Sequence, residues 1–211
     1  MCRMLYARSN HPFAVATVLD PFAQVARSSR EYQGHSWGCA GWAAGRWHVY
    51  RDIKPIWEDD LTQFAQTTVF IAHARSAFRD EGIAVENNMP FSDGESMFVF
   101  NGELKGVRIR ETGRIGAEKI YNYIRRFDSG DKLAALTRGT EIITRRTRYV
   151  RAMNIVLAEG ESAWLATLFN EDPAYFQMYE TTRGALRLVC SAPFPGESGW
   201  SPIANGTISA I

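Results

Sequence analysis

The chain opens Met1-Cys2-Arg3-Met4-Leu5-Tyr6-Ala7-Arg8. From Cys2 to Ala7 the residues alternate around Met4 and Tyr6, the period-two pattern of a strand. A thiol therefore stands in second position, at the head of a strand. The rest of the chain has to bury that strand. Val69–Ala74 is a continuous apolar run of strand length, which suits a strand covered on both faces. Gly38–Trp42 and Trp47–Tyr50 read as a hairpin, with Ala44-Gly45 in the turn. Met97–Phe100 reads as another strand, ended by Asn101-Gly102, a dipeptide that tolerates positive φ and so favours turns.

Helices separate two groups of strands. Residues 13–28 are rich in Ala, Val and Leu, and Pro21 should divide them into two short helical pieces. Leu61–Gln66 reads as helical. Ala117, Ile120, Tyr121, Ile124 and Phe127 mark an amphipathic helix over 117–127. Leu133, Leu136 and Ile143 mark a second over Lys132–Thr144. Strand patterns follow at Asn154–Ala158, Ala163–Phe169, Tyr175–Glu180, Leu186–Cys190 and Thr207–Ile211. Strands, then two helices, then strands predict antiparallel sheets covered by helices, an α+β layered fold.

Composition narrows the function. The chain has 211 residues, 45% apolar and 12% aromatic, enough to bury a sizeable core in one domain, 1–211. Twenty-four Lys and Arg face 23 Asp and Glu, a formal charge of +1. That balance argues against a nucleic-acid partner, which a strong basic excess would signal. No apolar run reaches the ~18 residues of a membrane span, and no leader pattern is visible. Cys2, Cys39 and Cys190 lie far apart and cannot all pair, so a reducing cytoplasm is expected.

Several residues could carry chemistry. Loss of Met1 would leave Cys2 first in the chain with a free α-amine, whose pKa of about 7.7–8.0 lets much of it act as a base near neutrality. Nucleophile and base would then sit on one residue. Taken alone, Cys2 reads first as a small buried hydrophobe on an edge strand. Arg75 closes the Val69–Ala74 run and could hold a carboxylate through two parallel hydrogen bonds. Asn101-Gly102 could offer a side-chain amide and a backbone N–H to one developing oxyanion. Gly38-Cys39-Ala40-Gly41-Trp42 looks superficially like a papain-type cysteine, but the last histidine is His73, so the downstream histidine is missing. The four histidines have no metal-ligand spacing, and neither metal nor cofactor is expected. Arg145–Arg151, the one basic cluster, reads as a solvated helix end.

The order of these motifs resembles the class II glutamine amidotransferases. The likeness rests on Met1-Cys2, Trp37-Gly38 with Trp42, Ile71-Ala72-His73-Ala74-Arg75, Glu86-Asn87-x-x-Pro90-Phe91 and Asn101-Gly102-Glu103-Leu104. It continues in Met153–Leu157, in Ser191-Ala192-Pro193-Phe194 and in Trp200 to Thr207, over nearly the whole chain. The match is best with stand-alone glutaminase and γ-glutamyl hydrolase members. It implies a four-layer αββα sandwich of two antiparallel sheets, the N-terminal-nucleophile hydrolase fold. It implies Cys2, Asn101 and Gly102 as catalytic residues, with Arg75 holding the substrate α-carboxylate. Glu118 matches the last position of the Thr-Asp-Ser-Glu stretch and joins the substrate-binding set. The implied substrate is a γ-glutamyl small molecule, cleaved through a Cys2 thioester. Two alternatives stay open: a glutaminase subunit feeding ammonia to a separate synthase partner, and an inactive binding module of the same fold. Gly116 stands where the family Asp would take the α-ammonium. Met89 and Phe100 replace frequent histidines, and Ala192 replaces a glutamate.

Overall fold

The computed structural model describes residues 1–77 and 81–211. Strand β1 (Arg3–Phe13) leads into helix α1 (Ala16–Arg27), the hairpin β2 (Ser36–Ala43) and β3 (Arg46–Asp52), and then β4 (Thr67–Arg75). A two-residue β5 (Phe91–Ser92) precedes the long β6 (Ser96–Val107), and helices α2 (Gly116–Arg125) and α3 (Lys132–Arg145) follow. The chain returns through β7 (Thr147–Glu159), β8 (Ser162–Ala166), a one-turn helix α4 (Pro173–Phe176), β9 (Tyr179–Arg183), β10 (Leu186–Cys190), β11 (Ser201–Pro202) and β12 (Ile208–Ala210).

Among the described residues these strands form two antiparallel sheets. One runs β11-β9-β10-β1-β4-β2-β3, the other β12-β8-β7-β6-β5. Period-two alternation splits the central strands of the first sheet between two cores. Met4 and Tyr6 of β1, with Val69 and Ile71 of β4 and Val189 of β10, join a cluster that includes Phe98, Phe100, Met153 and Ile155 of the second sheet. Leu5, Ala7, Phe70, Ala72 and Leu188 point the other way, onto Val18, Leu19 and Phe22 of α1. Ile120, Tyr121 and Ile124 of α2 and Leu136 and Ile143 of α3 cover the second sheet, where the Tyr121 ring stacks on Phe98 at 4.8 Å. The result is an α+β sandwich with helices outside both sheets. Among the described residues no helix is long and apolar enough to cross a membrane.

Four local expectations are corrected. Residues 16–27 form one helix with Pro21 inside it. Burial of Val18, Leu19, Phe22, Ala23, Val25 and Ala26 on the sheet outweighs the single hydrogen bond that a proline removes. Only Leu61–Gln63 turns helically, as a 3-10 turn. Asp60 accepts from both the N–H and the hydroxyl of Thr62, which closes the turn locally. Asn101-Gly102 is not a turn: β6 continues through it, paired Asn101↔Asn154 and Gly102↔Met153. Neither residue takes positive φ, because the partner strand β7 supplies pairing that an isolated hairpin turn lacks. The strand expected over Tyr175–Glu180 begins as α4 and becomes β9 only at Tyr179. The turn in the first hairpin is as expected, with Ala44 at φ 52° and Gly45 at φ 74°, the left-handed pair of a tight two-residue loop.

Candidate active site

Strand pairing places the chemistry-bearing residues. Arg3 of β1 lies opposite Ala74 of β4, so Cys2, one residue earlier, comes beside Arg75 at the end of the same sheet. The Cys2 Sγ lies 3.7 Å from the Ser76 carbonyl. Beyond it opens a cleft of about 750 Å³ lined by Cys2, Arg75 and Ser76 from this sheet, Phe100, Gly102 and Leu104 from β6, and Ile115–Ala117 and Ile120 from the start of α2. Burial pushes the Cys2 thiol up from its ordinary pKa, while the N-terminal ammonium and Arg75 pull it down.

Arg75 is 6% exposed. Its Nη1 donates to the Gly82 carbonyl at 2.9 Å and its Nη2 to the Glu81 carbonyl at 3.5 Å. Among the described residues it makes no ion pair with a carboxylate, so a buried cation faces the cleft with only backbone oxygens against it. Burial lowers its pKa, and Cys2 opposes that shift.

Gly102 is tightly confined. A Cβ built on it would lie 2.2 Å from the Ala152 carbonyl oxygen and 2.8 Å from Cζ of Phe100. Both backbone groups of Met153, its ladder partner, bond to Leu168 instead. In an antiparallel ladder that leaves the Gly102 N–H facing away from β7. Asn101 beside it is fully buried, and neither its Oδ1 nor its Nδ2 has a hydrogen-bond partner among the described residues. Behind this segment, fully buried His73 on β4 reaches across the layers, with Nε2 3.2 Å from the Phe100 carbonyl. A carbonyl only accepts, so Nε2 carries the proton. Burial, helped by Arg75, lowers the His73 pKa to about 3, and the ring stays neutral.

The sequence-derived residues thus divide. Cys2, Arg75 and Gly102 share the cleft, while Asn101, next to Gly102 on β6, is fully buried and does not line it. Glu118 does not line it. Its carboxylate is forked by Arg114, whose Nε lies 3.0 Å from both oxygens and whose backbone N–H donates at 2.5 Å. Gly116 does line the cleft, and a Cβ there would meet nothing within 4 Å. Among the described residues, the acidic residues that line the cleft are Glu81 and Glu111.

One group was invisible in the sequence. The Met1 carbonyl accepts from Gln33 Nε2 at 2.6 Å and from the Tyr175 hydroxyl at 2.6 Å, and the Met1 ammonium pairs with Glu31. These residues are 174 positions apart along the chain at the extreme. No periodicity or spacing could have joined them.

No family model matches the sequence, and no curated relative matches it. The fold has clear counterparts. A glutamine aminotransferase class-II domain protein from Silicibacter pomeroyi superposes with a TM-score of 0.70 at 17% identity, covering 100% of this chain and 94% of its own. A predicted glutamine amidotransferase from Pseudomonas aeruginosa gives 0.58 at 15%, covering 99% and 96%. The glutamine phosphoribosylpyrophosphate amidotransferase of B. subtilis gives 0.66 at 14%, covering 90% of this chain and 42% of that one. At these identities the likeness is one of fold: the α+β sandwich described above is the fold of these proteins.

Proposed function

We infer that the chain is a class II type amidohydrolase that cleaves the γ-amide of glutamine or of a γ-glutamyl compound through Cys2. The observation that carries this reading is convergence. The Cys2 thiol, the buried Arg75 guanidinium and the Phe100–Gly102 strand segment meet at one cleft, from three separate parts of the chain. The fold shared with glutamine amidotransferase domains supports it.

The chemistry runs on the processed chain, with Cys2 first. The α-amine takes the thiol proton, and the thiolate forms a C–S bond to the γ-carbonyl carbon as the π pair moves onto oxygen. The Gly102 N–H and the Asn101 amide stabilise that oxyanion. Loss of one such donor costs roughly 3–4 kcal/mol of barrier. Collapse breaks the C–N bond, and the amine or ammonia leaves with the proton held by the α-ammonium. Water then adds to the thioester and gives its proton back to the α-amine. Cleavage of the C–S bond releases glutamate and restores the thiol. Arg75 holds the α-carboxylate by two parallel hydrogen bonds. While Met1 is attached, the nitrogen of Cys2 is an amide and cannot serve as the base.

The test is glutamate release from glutamine and from a set of γ-glutamyl amides by chain whose loss of Met1 is verified by intact mass. Turnover abolished by Cys2→Ala is the expected result. A folded, processed chain that releases no glutamate from any of them, and whose Cys2 is not labelled by an electrophilic glutamine analogue, overturns the reading.

A further inference from the structure

We propose that Gln33 and Tyr175 are positioning residues: together they form a socket that holds the α-amine of the liberated Cys2 against its own thiol. This rests on the amidohydrolase reading above and adds the groups that make its base work.

The two side chains come from distant parts of the fold. Gln33 follows α1, and Tyr175 belongs to the one-turn α4. Both are buried, Gln33 completely and Tyr175 to 3% exposure. Both converge on one atom, the carbonyl oxygen of Met1, at 2.6 Å each. That atom leaves with Met1. A carbonyl oxygen and the nitrogen bonded to the same carbon lie within about 2.3 Å of each other, which follows from the amide bond lengths. The future amine therefore lies within a few ångströms of both side chains.

Its hydrogen-bonding capacity suits an amine better than a carbonyl. A carbonyl only accepts, so it uses the N–H side of Gln33 and leaves Oε1 buried without a partner. A primary amine both donates and accepts. A half-turn of the carboxamide presents Oε1 to one amine N–H, and the Tyr175 hydroxyl oxygen accepts the other, which leaves the nitrogen lone pair for the thiol proton. After the thiol proton has moved to the amine, the ammonium donates to both oxygens. The transfer breaks the S–H bond, forms an N–H bond and needs no other reactant. The socket thus has acceptors for the amine in both protonation states and keeps the lone pair of the neutral amine turned to the thiol.

The socket is braced. The Arg3 guanidinium lies 4.1 Å from the centre of the Tyr175 ring, and its Nη1 donates to the Tyr175 carbonyl at 3.2 Å and to the Ser191 carbonyl at 2.9 Å. Ser29 Oγ lies 3.2 Å from the Tyr175 hydroxyl. In the unprocessed chain the Gln33 amide also donates to the Glu31 carbonyl at 2.8 Å, a bond that the half-turn gives up. A misplaced base loses on the order of 100-fold in rate for ~1 Å, which explains the value of such bracing.

The test uses processed wild-type chain, Tyr175→Phe and Gln33→Met, each checked for loss of Met1 and for a cooperative melt. Two readouts are taken: kcat and KM on whichever γ-glutamyl amide the wild type turns over, and the rate of Cys2 alkylation by iodoacetamide at neutral pH. The alkylation rate reads the thiolate without any substrate. Both variants are expected to lose about tenfold or more in kcat with KM nearly unchanged, within the range of general-base effects, and to slow alkylation in parallel. Wild-type kcat and wild-type alkylation in a folded Tyr175→Phe overturn the proposal. A crystal structure of the processed wild type decides the matter even if a variant fails to fold. The amine nitrogen within hydrogen-bond reach of Gln33 Oε1 and Tyr175 Oη supports the socket, and a nitrogen turned away from both removes it. Absence of turnover in the wild type defeats the amidohydrolase reading instead, while alkylation and the crystal structure still decide this one.

Discussion

Replacing Gly102 by alanine puts one methyl group where the fold has no room. The new carbon would sit 2.2 Å from the Ala152 carbonyl oxygen and 2.8 Å from both the Ala152 carbonyl carbon and Phe100 Cζ. Contacts below 3.0 Å are essentially never seen for a real Cβ, so β6 and β7 must separate by about 0.8 Å at this point. The obstructing atoms are mainly backbone, which cannot swing aside as a side chain can. Overpacking of this kind costs about 1–3 kcal/mol of stability. The same displacement carries the Gly102 N–H and Asn101 away from the cleft. A shift near 1 Å, or loss of an oxyanion donor, lowers kcat by roughly 100-fold or more. Gly102→Ala is therefore expected to unfold at lower urea while still folding cooperatively, and to lose about two decades in glutamate release with a small change in KM. Urea titration and steady-state kinetics on the processed chain read both effects. A variant with wild-type stability refutes the packing argument. A destabilised variant with wild-type kcat shows that this strand segment does not touch the reacting oxygen.

Other outcomes follow from neighbouring residues. His73 is held neutral in the fold with a pKa of about 3, whereas an unfolded histidine titrates near 6.5. Between those values the unfolded chain binds the extra proton, so stability falls as pH drops, by about 1.4 kcal/mol per pH unit from this group. His73→Gln, which keeps an N–H for the Phe100 carbonyl, should flatten that slope in urea midpoints taken from pH 7 to pH 5, and an unchanged slope would contradict the assignment. Gly116 begins α2 at the cleft wall with open space around it, and a carboxylate in a helix's first turn adds about 0.3–1 kcal/mol. Gly116→Asp should therefore fold at least as well as the wild type and lower KM for free glutamine about tenfold. A raised or unchanged KM would show that the α-ammonium is recognised elsewhere. The Met1 carbonyl is held by two hydrogen bonds and the Met1 side chain is 13% exposed, so methionine aminopeptidase should cleave the free peptide Met1–Arg8 but leave folded, unprocessed chain intact. Cleavage of both at similar rates by intact mass would show that the N-terminus opens readily.

The helices and most strands were legible because their signal is local. The 3.6-residue spacing of Ala117, Ile120, Tyr121 and Ile124 needs only one buried face, and Leu186–Cys190 appears with the same bounds in sequence and fold. Failures came where a distant partner changed the local balance. Pro21 is tolerated because the sheet buries the helix around it. Asn101-Gly102 has turn chemistry in isolation and strand geometry beside β7. The candidate site divides the same way. Cys2 and Arg75 could be named because thiols at a chain start and cations at a strand end carry chemistry by type. Glu118 was named by position in a pattern, but its carboxylate is taken up by Arg114, four residues earlier.

Amino-acid order alone therefore indicated most of the segments that alternate or coil and which side chains could carry chemistry, since those depend on neighbours within a turn or a pleat. Only packing in three dimensions decided which of them meet. Pairing of β1 with β4 sets Cys2 beside Arg75, face-to-face stacking of the sheets brings Gly102 to the same cleft, and the return of α4 delivers Tyr175 to the first residues of the chain. Such encounters join positions with no shared local period, so they exist only once the two sheets have closed on each other.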